Sequence, residues 1–456
     1  MSLDKFKEIV ALCKRRGFVF PGSDIYGGLA NTWDYGPMGV ELKNNIKNSW
    51  WKTFVHRRND MVGLDAAIFM HPKVWEASGH VGGFSDPLVE CLECKKRFRG
   101  DQLLEEQAKI QVTGLTLVNI GIKIKELGIK CPECGAKKFT EPKNFNLMFS
   151  TQMGVVEGST NTVYLRPETA QGIFVNFENV LNSYRIKIPF GIGQIGKAFR
   201  NEITPKQFIF RTREFEQMEI EYFVKPGTEL ECFDGWVNDV QNFFINLGIK
   251  KENLQLRPHD PNELAFYSNK TVDLEYNFPW GFGELVGIAS RTNYDLSQHN
   301  KFAEKKLEYQ DQETKETYVP YVIEPSFGVD RSFLTFLLDA FHVEELENRS
   351  RTVLKLHPKL APVKFAVFAL KRNAPELIEL ANKIYDRFSQ TWNIQMDNSG
   401  NIGKAYSRQD EIGTPYCLTV DFDSLKDQSV TIRDRDSMKQ ERVSFESLHE
   451  FFIKKL

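Results

Sequence analysis

The chain predicts an α+β fold, and three observations predict it. Two strand-like segments, residues 198–203 and 211–222, flank the short loop Thr204–Phe210 and can close as an antiparallel hairpin. A further strand ends in a glycine turn at Gly328 and leads into a helix that starts near Asp330 and buries Phe333, Leu334, Leu337 and Leu338. Beyond residue 360, strand and helix patterns alternate, which predicts a small C-terminal α/β domain.

In chain order, residues 1–90 carry an opening helix, a Gly-rich loop at 27–39 and a helix from about Gly39 to Arg58, followed by an apolar strand after Asp60. Residues 91–140 form a cysteine-bearing insertion, with Leu103–Ala108 helical and Leu115–Ile124 alternating as a hairpin would. Residues 141–355 hold aromatic-rich strands and most of the polar motifs, and Lys301–Lys315 is dense enough in charge to be an exposed helix or loop. Ser350–Pro362, with two prolines, reads as a linker to the last domain, residues 356–456. There Val363–Leu370 is a strand, Ala374–Ser389 a helix and Tyr416–Asp421 another strand.

A length of 456 residues allows about three domains with substantial cores. The net charge is −2, and residues 360–456 carry 14 basic and 14 acidic side chains, so bulk electrostatics gives no sign of a nucleic-acid partner. The N-terminus is too charged for a secretory signal core, and no apolar run reaches membrane-spanning length. A cytoplasmic protein with no membrane association is expected.

Four of the seven cysteines form Cys91-x-x-Cys94 and Cys131-x-x-Cys134. Two such knuckles can wrap four thiolates around a structural Zn²⁺. The 36 residues between them exceed the usual ribbon spacing. Reduced structural thiols or two redox pairs are the alternatives. Cys13, Cys232 and Cys417 are isolated and read as small buried hydrophobes.

Side chains alternate along a strand, so Arg200 and Glu202 share one face of the hairpin, as do Arg211, Arg213, Phe215, Gln217, Glu219 and Glu221. Guanidinium groups, one ring and a row of carboxylates suit a nucleotide: phosphates, base, and a cation or ammonium. Arg331 falls in the first turn of the 330–341 helix, where an anionic ligand would offset its unfavourable dipole interaction. Gly191-Ile-Gly-Gln-Ile-Gly196 matches the dinucleotide fingerprint in letters, but a strand follows it where a helix is required. Its glycines read instead as positions of close approach. Ser78-Gly-His80 faintly resembles a class I synthetase signature without the matching lysine loop, and His80 reads as a loop histidine.

Phe199-Arg200-Asn201-Glu202 with Arg211, separated by three residues from Phe215, resembles motif 2 of the class II aminoacyl-tRNA synthetases. Gly328-Val329-Asp330-Arg331 resembles their motif 3, with Asp-Arg where Glu-Arg is usual. The 39–58 helix with its strand and Pro72 resembles motif 1. Arg166-Pro-Glu168-Thr-Ala-Gln171, Arg211–Glu219, Trp280-Gly-Phe-Gly-Glu284-Leu285 and Glu324-Pro325-Ser326 narrow the resemblance to the glycyl branch, the single-chain homodimeric kind. The resemblance implies an antiparallel-sheet catalytic domain, a zinc-knuckle insertion and a C-terminal anticodon-binding domain. It implies glycine, ATP and tRNA-Gly as substrates, Mg²⁺ with the ATP, and a homodimer. A different amino acid of the same subclass (serine, threonine, proline or histidine) and a non-enzymatic relative are the competing readings.

The same resemblance assigns the sites. Arg200, Arg331 and Glu284 are the catalytic candidates: Arg200 for the α-phosphate and amino-acid carboxylate, Arg331 with Arg211 for the outer phosphates, Glu284 for Mg²⁺. Phe215 would stack on adenine and Glu202 would meet the base edge or ribose. Asn201, Phe210, Thr212, Arg213, Glu214, Leu285, Gly328, Val329 and Asp330 complete the ATP site. Glycine is assigned to Arg99, Glu168, Phe215, Glu216, Gln217, Met218, Glu219, Arg291, Glu324, Pro325, Ser326, Phe327 and Gly328. A glycine ammonium wants several acceptors, which such carboxylates supply, and a filled pocket excludes a β-carbon without editing. Tyr406, Arg433 and Arg435 are the anticodon candidates, and Cys91, Cys94, Cys131 and Cys134 the zinc ligands.

Overall fold

A seven-stranded sheet forms the centre of the computed structural model, which describes residues 3–110, 112, 114–154, 161–203, 207–347, 349–397 and 399–456. Its strands run in the order Leu254–Pro258, Lys270–Phe278, Gly281–Thr292, Tyr321–Gly328, Glu214–Val224, Phe190–Phe199, Met61–Leu64. Every neighbouring pair is antiparallel except Met61–Leu64, which lies parallel to Phe190–Phe199. One face is apolar. Met218, Ile220, Ile288, Ile323 and Phe327 share a core with Leu42, Ile46 and Trp50 of the Pro37–Trp51 helix. The same core takes in Phe243 and Phe244 of Glu229–Asn246 and Phe333 and Leu337 of Val329–Ala340. Part of the opposite face packs Ile192, Phe223 and Val322 under the short helices Ala170–Phe174 and Phe177–Tyr184. The rest of that face is polar.

Strand phase decides which side chains reach the polar face. Along Glu214–Val224 the even-numbered Met218 and Ile220 face the core, and the odd-numbered Gln217, Glu219 and Glu221 face away from it. Glu284 would have faced the core with Val286 and Ile288. A bulge opposite Leu274 and Glu275 inserts Leu285 as an extra residue, so Leu285 is buried while Glu284 turns outward.

The predicted hairpin forms with shifted ends: its strands are Phe190–Phe199 and Glu214–Val224, and Thr204–Lys206 lie outside the described residues. Arg200, Glu202, Arg211 and Arg213 therefore sit in the connection, which suits them to approach a ligand from several directions. Gly328 is extended (φ −82°, ψ 118°), so strand passes straight into helix without a glycine turn. The Gly191–Gly196 run lies within one strand. A Cβ on Gly193 would stand 2.9 Å from Val55 and 3.3 Å from the Trp50 ring, and one on Gly196 would overlap the Arg166 guanidinium. These glycines admit neighbouring side chains.

Three other expectations change. Trp33–Tyr35, inside the Gly-rich stretch, is a strand paired with Val19–Pro21. Residues 115–124, predicted as a hairpin, belong to the helix Leu117–Glu126, capped by Thr116, whose side chain accepts from the Asn119 N–H. Ile120 and Ile124 are buried one turn apart while Ile122 between them is exposed, so the apparent period of two was a helical stripe plus one solvent-facing isoleucine. The predicted linker is packed: Arg349–Leu354 pairs with Phe341–Leu346, and Val353, Leu354, Leu356 and Leu360 are buried. Buried Arg351 donates to Asp410 and Glu344 at 2.8 Å each, fastening the central and C-terminal parts together.

The C-terminal sheet has five strands, ordered Gln395–Met396, Phe365–Ala369, Tyr416–Val420, Ser429–Asp434, Gln440–Ser444. The first three are mutually parallel and the last two antiparallel, with helices Pro375–Phe388 and Leu448–Lys455 packed in its main core. Gly193→Val should cost about 1–3 kcal/mol of stability through overpacking against Val55 and Trp50, measured as a lowered urea midpoint.

Candidate functional site

Two sub-sites lie side by side on the polar face. The first is a cleft lined by Arg200, Glu202, Phe210, Arg211, Phe215, Glu284 and Arg331. Arg331 donates from Nη1 to the Glu284 carbonyl at 3.0 Å, lies 3.2 Å from the Glu284 carboxylate, and stands 4.6 Å from the Phe210 ring centre. Arg200 donates to the Pro167 carbonyl at 3.0 Å and lies 5.3 Å from both the Phe215 and Phe84 rings. Burial, then the nearby Arg331 and Arg99 charges, make the Arg211 guanidinium less basic than usual, while Glu202 opposes this. Clustered cations of this kind gain most from an anionic ligand. Glu284 is held below the usual carboxylate range by Arg331 foremost, against the effect of burial, with help from Arg200 and Arg211. It is an ionised, half-exposed oxygen donor, the type that divalent Mg²⁺ accepts.

The second sub-site is an acidic nest around Arg291. Arg291 donates to both oxygens of Glu324 at 2.8 and 2.9 Å and to both of Asp295 at 2.7 and 2.8 Å. Glu219 accepts from Ser326 Oγ at 2.8 Å and from the Thr169 hydroxyl. Gln171 donates to Glu168 and to Asp295, each at 3.0 Å, and His80 Nε2 lies 3.3 Å from Glu168. Burial pushes Glu324 up to about 8, with Glu219 and Glu168 adding to it and Arg291 opposing. Burial and Glu168 likewise raise Glu219. Burial would raise Glu168 too, but His80 and Arg291 outweigh it and hold that carboxyl well below its ordinary value. The nest therefore offers carboxylate acceptors with little matching positive charge, which fits a primary ammonium ion.

Several predicted site residues are committed to other partners, although Thr212, Glu216, Gly328 and Asp330 among them also line the first cleft. Met218 and Phe327 are fully buried in the core, and Leu285, Val329 and Pro325 are buried as well, because strand alternation and the Leu285 bulge point them away from the site. Glu216, also on the wrong phase for the nest, lies 3.0 Å from both Lys43 and Lys47 of the Pro37–Trp51 helix. Asp330 is turned to Tyr35, to Lys43 at 3.0 Å and to the Glu216 N–H at 2.8 Å. Glu214 pairs with Lys197. Thr212 donates to the Glu214 carbonyl, and Arg213 to Ala30 and Glu202 carbonyls, so both buttress the connection. Asn201 N–H donates to the Leu147 carbonyl. Gly328 lines the first cleft. Arg99 engages Asp86 and Asp101 and lies near Glu202 and Arg211, on the arginine side and not in the nest.

The three anticodon candidates make their contacts inside their own domain. Arg433 and Arg435 are 6% and 3% exposed, committed to Asp410, to the Gly413 carbonyl and to Asp436, and Tyr406 bonds Thr419 beneath Arg433. Surface-strand reasoning missed that Arg351, Arg433 and Asp410 form one internal network. Sequence reading set Glu221 on the ligand face without assigning it to a site, and took His80 for a loop histidine. His80 reaches Glu168 only through the fold, whereas Glu221 follows Glu219 in strand phase.

The insertion brings its cysteines together. Cys91 and Cys134 sulfurs are 3.6 Å apart, as are those of Cys94 and Cys131, and all four lie within 4.8 Å of one another. Each knuckle ends at a positive-φ residue, Lys95 (59°) and Gly135 (75°). Tetrahedral Zn–S bonds of about 2.3 Å require sulfurs about 3.8 Å apart, whereas a disulfide requires about 2.0 Å. The four thiols fit zinc.

The chain matches the tRNA synthetase class II core domain (G, H, P, S and T) over residues 155–341 and the anticodon binding domain over residues 364–455. A glycine–tRNA ligase of Acetivibrio thermocellus is 57% identical over 452 residues, 98% of this chain and 97% of the relative. One of Geobacillus kaustophilus is 56% identical over 456 residues, 99% and 98% respectively. A solved prolyl-tRNA synthetase from Cryptosporidium parvum, complexed with halofuginone and AMPPNP, shares the fold. Its TM-score is 0.64 at 14% identity, across 98% of this chain and 74% of that one.

Removing the centre of the nest should be costly. Arg291→Met leaves Glu324 and Asp295 buried without a counter-charge and should lower stability by about 3–5 kcal/mol in chemical denaturation. A second change, Glu324→Gln, should restore part of the loss.

Proposed function

The chain belongs to the glycine–tRNA ligases, and from that premise we propose how its residues share the reaction. Glycine is first joined to ATP as glycyl-adenylate with release of pyrophosphate, then passed to the 3′ end of tRNA with release of AMP. The glycine carboxylate, already ionised at neutral pH, attacks the α-phosphorus directly. No protein base is needed, so the work is positioning and charge stabilisation.

Arg200 holds the α-phosphate and the incoming carboxylate: it lines the guanidinium cleft beside Phe215 and Phe84, and donates to the carbonyl of Pro167, the residue before Glu168 of the nest. Arg211 and Arg331 hold the outer phosphates, and adenine stacks at Phe215. Glu284, ionised beside Arg331, would hold Mg²⁺, which supplies charge neutralisation on the phosphates when bound. Glu168, Glu219, Glu324 and Ser326 take the glycine ammonium, and Arg291 fixes Glu324 in place. The observation that carries this reading is the pairing of a guanidinium cleft with a buried carboxylate nest on one sheet face. The C-terminal domain takes the anticodon of tRNA-Gly, read by base edges and stacking on a surface without excess charge. Cys91, Cys94, Cys131 and Cys134 hold a structural Zn²⁺, supported by their sulfur spacing. A homodimer through the Pro37–Trp51 region and a cytoplasmic setting complete the proposal. No helix among the described residues is long and apolar enough to cross a membrane.

Amino-acid-dependent ATP–pyrophosphate exchange tests the assignment: glycine should support the strongest exchange among the common amino acids. Arg200→Ala should reduce that exchange about 100- to 1000-fold with the circular-dichroism spectrum unchanged. Near-normal exchange would refute its role. Elemental analysis should find about one zinc per chain, lost in Cys91→Ser. A metal-free chain of normal stability would refute the zinc site.

A further inference from the structure

The nest holds one carboxyl that the scheme above leaves unused. Glu221 is fully buried, and neither of its oxygens has a hydrogen-bond partner among the described residues. It follows Glu219 on the same strand face, and Glu219, Glu221 and Glu324 each present an oxygen within 4.8 Å of the others. The charged groups facing it are Glu219 on its own strand, Glu324 on Tyr321–Gly328, Arg291 on Gly281–Thr292 and Asp295 on Tyr294–Phe302. Its partner on Phe190–Phe199 is the uncharged Ile192. On the helical side stands Gln171, with Glu168 and His299 bonded to it.

Arg291 decides which of these carboxyls carries a proton. Its Nη1 donates to both oxygens of Glu324 at 2.8 and 2.9 Å, and its Nε and Nη2 to Asp295 at 2.7 and 2.8 Å. With both Glu324 oxygens accepting, the proton that burial favours in this coupled group of carboxyls is better placed on one that Arg291 does not hold. Glu219 has two hydroxyl donors. Glu221 has none, so a buried negative charge is least supported there.

Resting on the glycine reading of this site, we propose that Glu221 is a further specificity residue of the amino-acid pocket. It stays neutral while the pocket is empty, releases its proton to solvent when the glycine ammonium arrives, and becomes an added carboxylate around that cation. Burial and the Glu324 charge raise the Glu221 carboxyl well above its ordinary value, in keeping with this state. Because binding releases a proton, affinity for glycine rises with pH, by up to about tenfold per pH unit.

The test compares the wild-type protein with Glu221→Gln, which keeps shape and neutrality but has no proton to give. Titration calorimetry with glycine, in buffers of different ionisation enthalpy, should show proton release by the wild type at neutral pH and none by the variant. In exchange assays the glycine KM of the two should agree near about pH 6, and the variant's should fall behind as pH rises, with the ATP KM unmoved. A KM gap that is constant with pH, or no proton release by the wild type, would overturn the proposal. The wild-type calorimetry decides the matter even if the variant fails to fold. Absence of any glycine-dependent exchange by the wild type would instead defeat the underlying functional reading.

Discussion

The strand register at the centre of the sheet is the constraint from which the rest follows. Pairing of Glu219 with Ser326 and of Gln217 with Gly328 sets Glu219, Glu221, Glu324 and Ser326 on one face. The same pairing sends Met218, Ile220, Ile323 and Phe327 into the core. A slip of one residue would bury carboxylates among phenylalanines and expose the core set, at a cost no domain of ordinary stability could bear. The same alternation therefore specifies the fold and builds the site. The bulge at Leu285 extends the logic by one strand, turning Glu284 toward the arginines while keeping a leucine inside.

Opposed charge densities then divide the labour. Arg200, Arg211 and Arg331 converge from a connection and a helix start, and Arg200 and Arg331 are each steadied by a backbone carbonyl and an aromatic ring. Beside them a single guanidinium, Arg291, holds Glu324 and Asp295, while Glu168 and Glu219 rely on His80, Gln171, Thr169 and Ser326. An amino acid carries its negative and positive groups a few bonds apart, and the two sub-sites present the opposite signs in the matching order. Burial strengthens both halves by excluding water from the carboxylates.

The sequence made the arginine cleft legible because its guanidinium groups sit close together in the chain or at a recognisable strand-to-helix junction. Glu219, Glu324 and Ser326 were legible for the same reason. Met218 and Phe327 were assigned to the pocket, whereas strand alternation points both side chains into the core. His80 was hidden, since only tertiary packing of the Trp75–Phe84 region brings it to Glu168. The helix at Leu117–Glu126 was misread because Ile122 filled the gap in a period-four stripe. Arg433 and Arg435 looked like surface readers of bases, yet a distant strand supplies Arg351 and closes a buried network around Asp410. Long-range partners of this sort leave no local mark in a sequence.

The central claim is that the two sub-sites hold opposite ends of one activated amino acid. A crystal structure with a non-hydrolysable glycyl-adenylate analogue tests it most directly. The account predicts the α-amino group about 2.7–3.2 Å from carboxylate or hydroxyl oxygens of Glu168, Glu219, Glu324 or Ser326, with the phosphate beside Arg200. An amino group turned toward the arginines, or an analogue bound away from the nest, would contradict it.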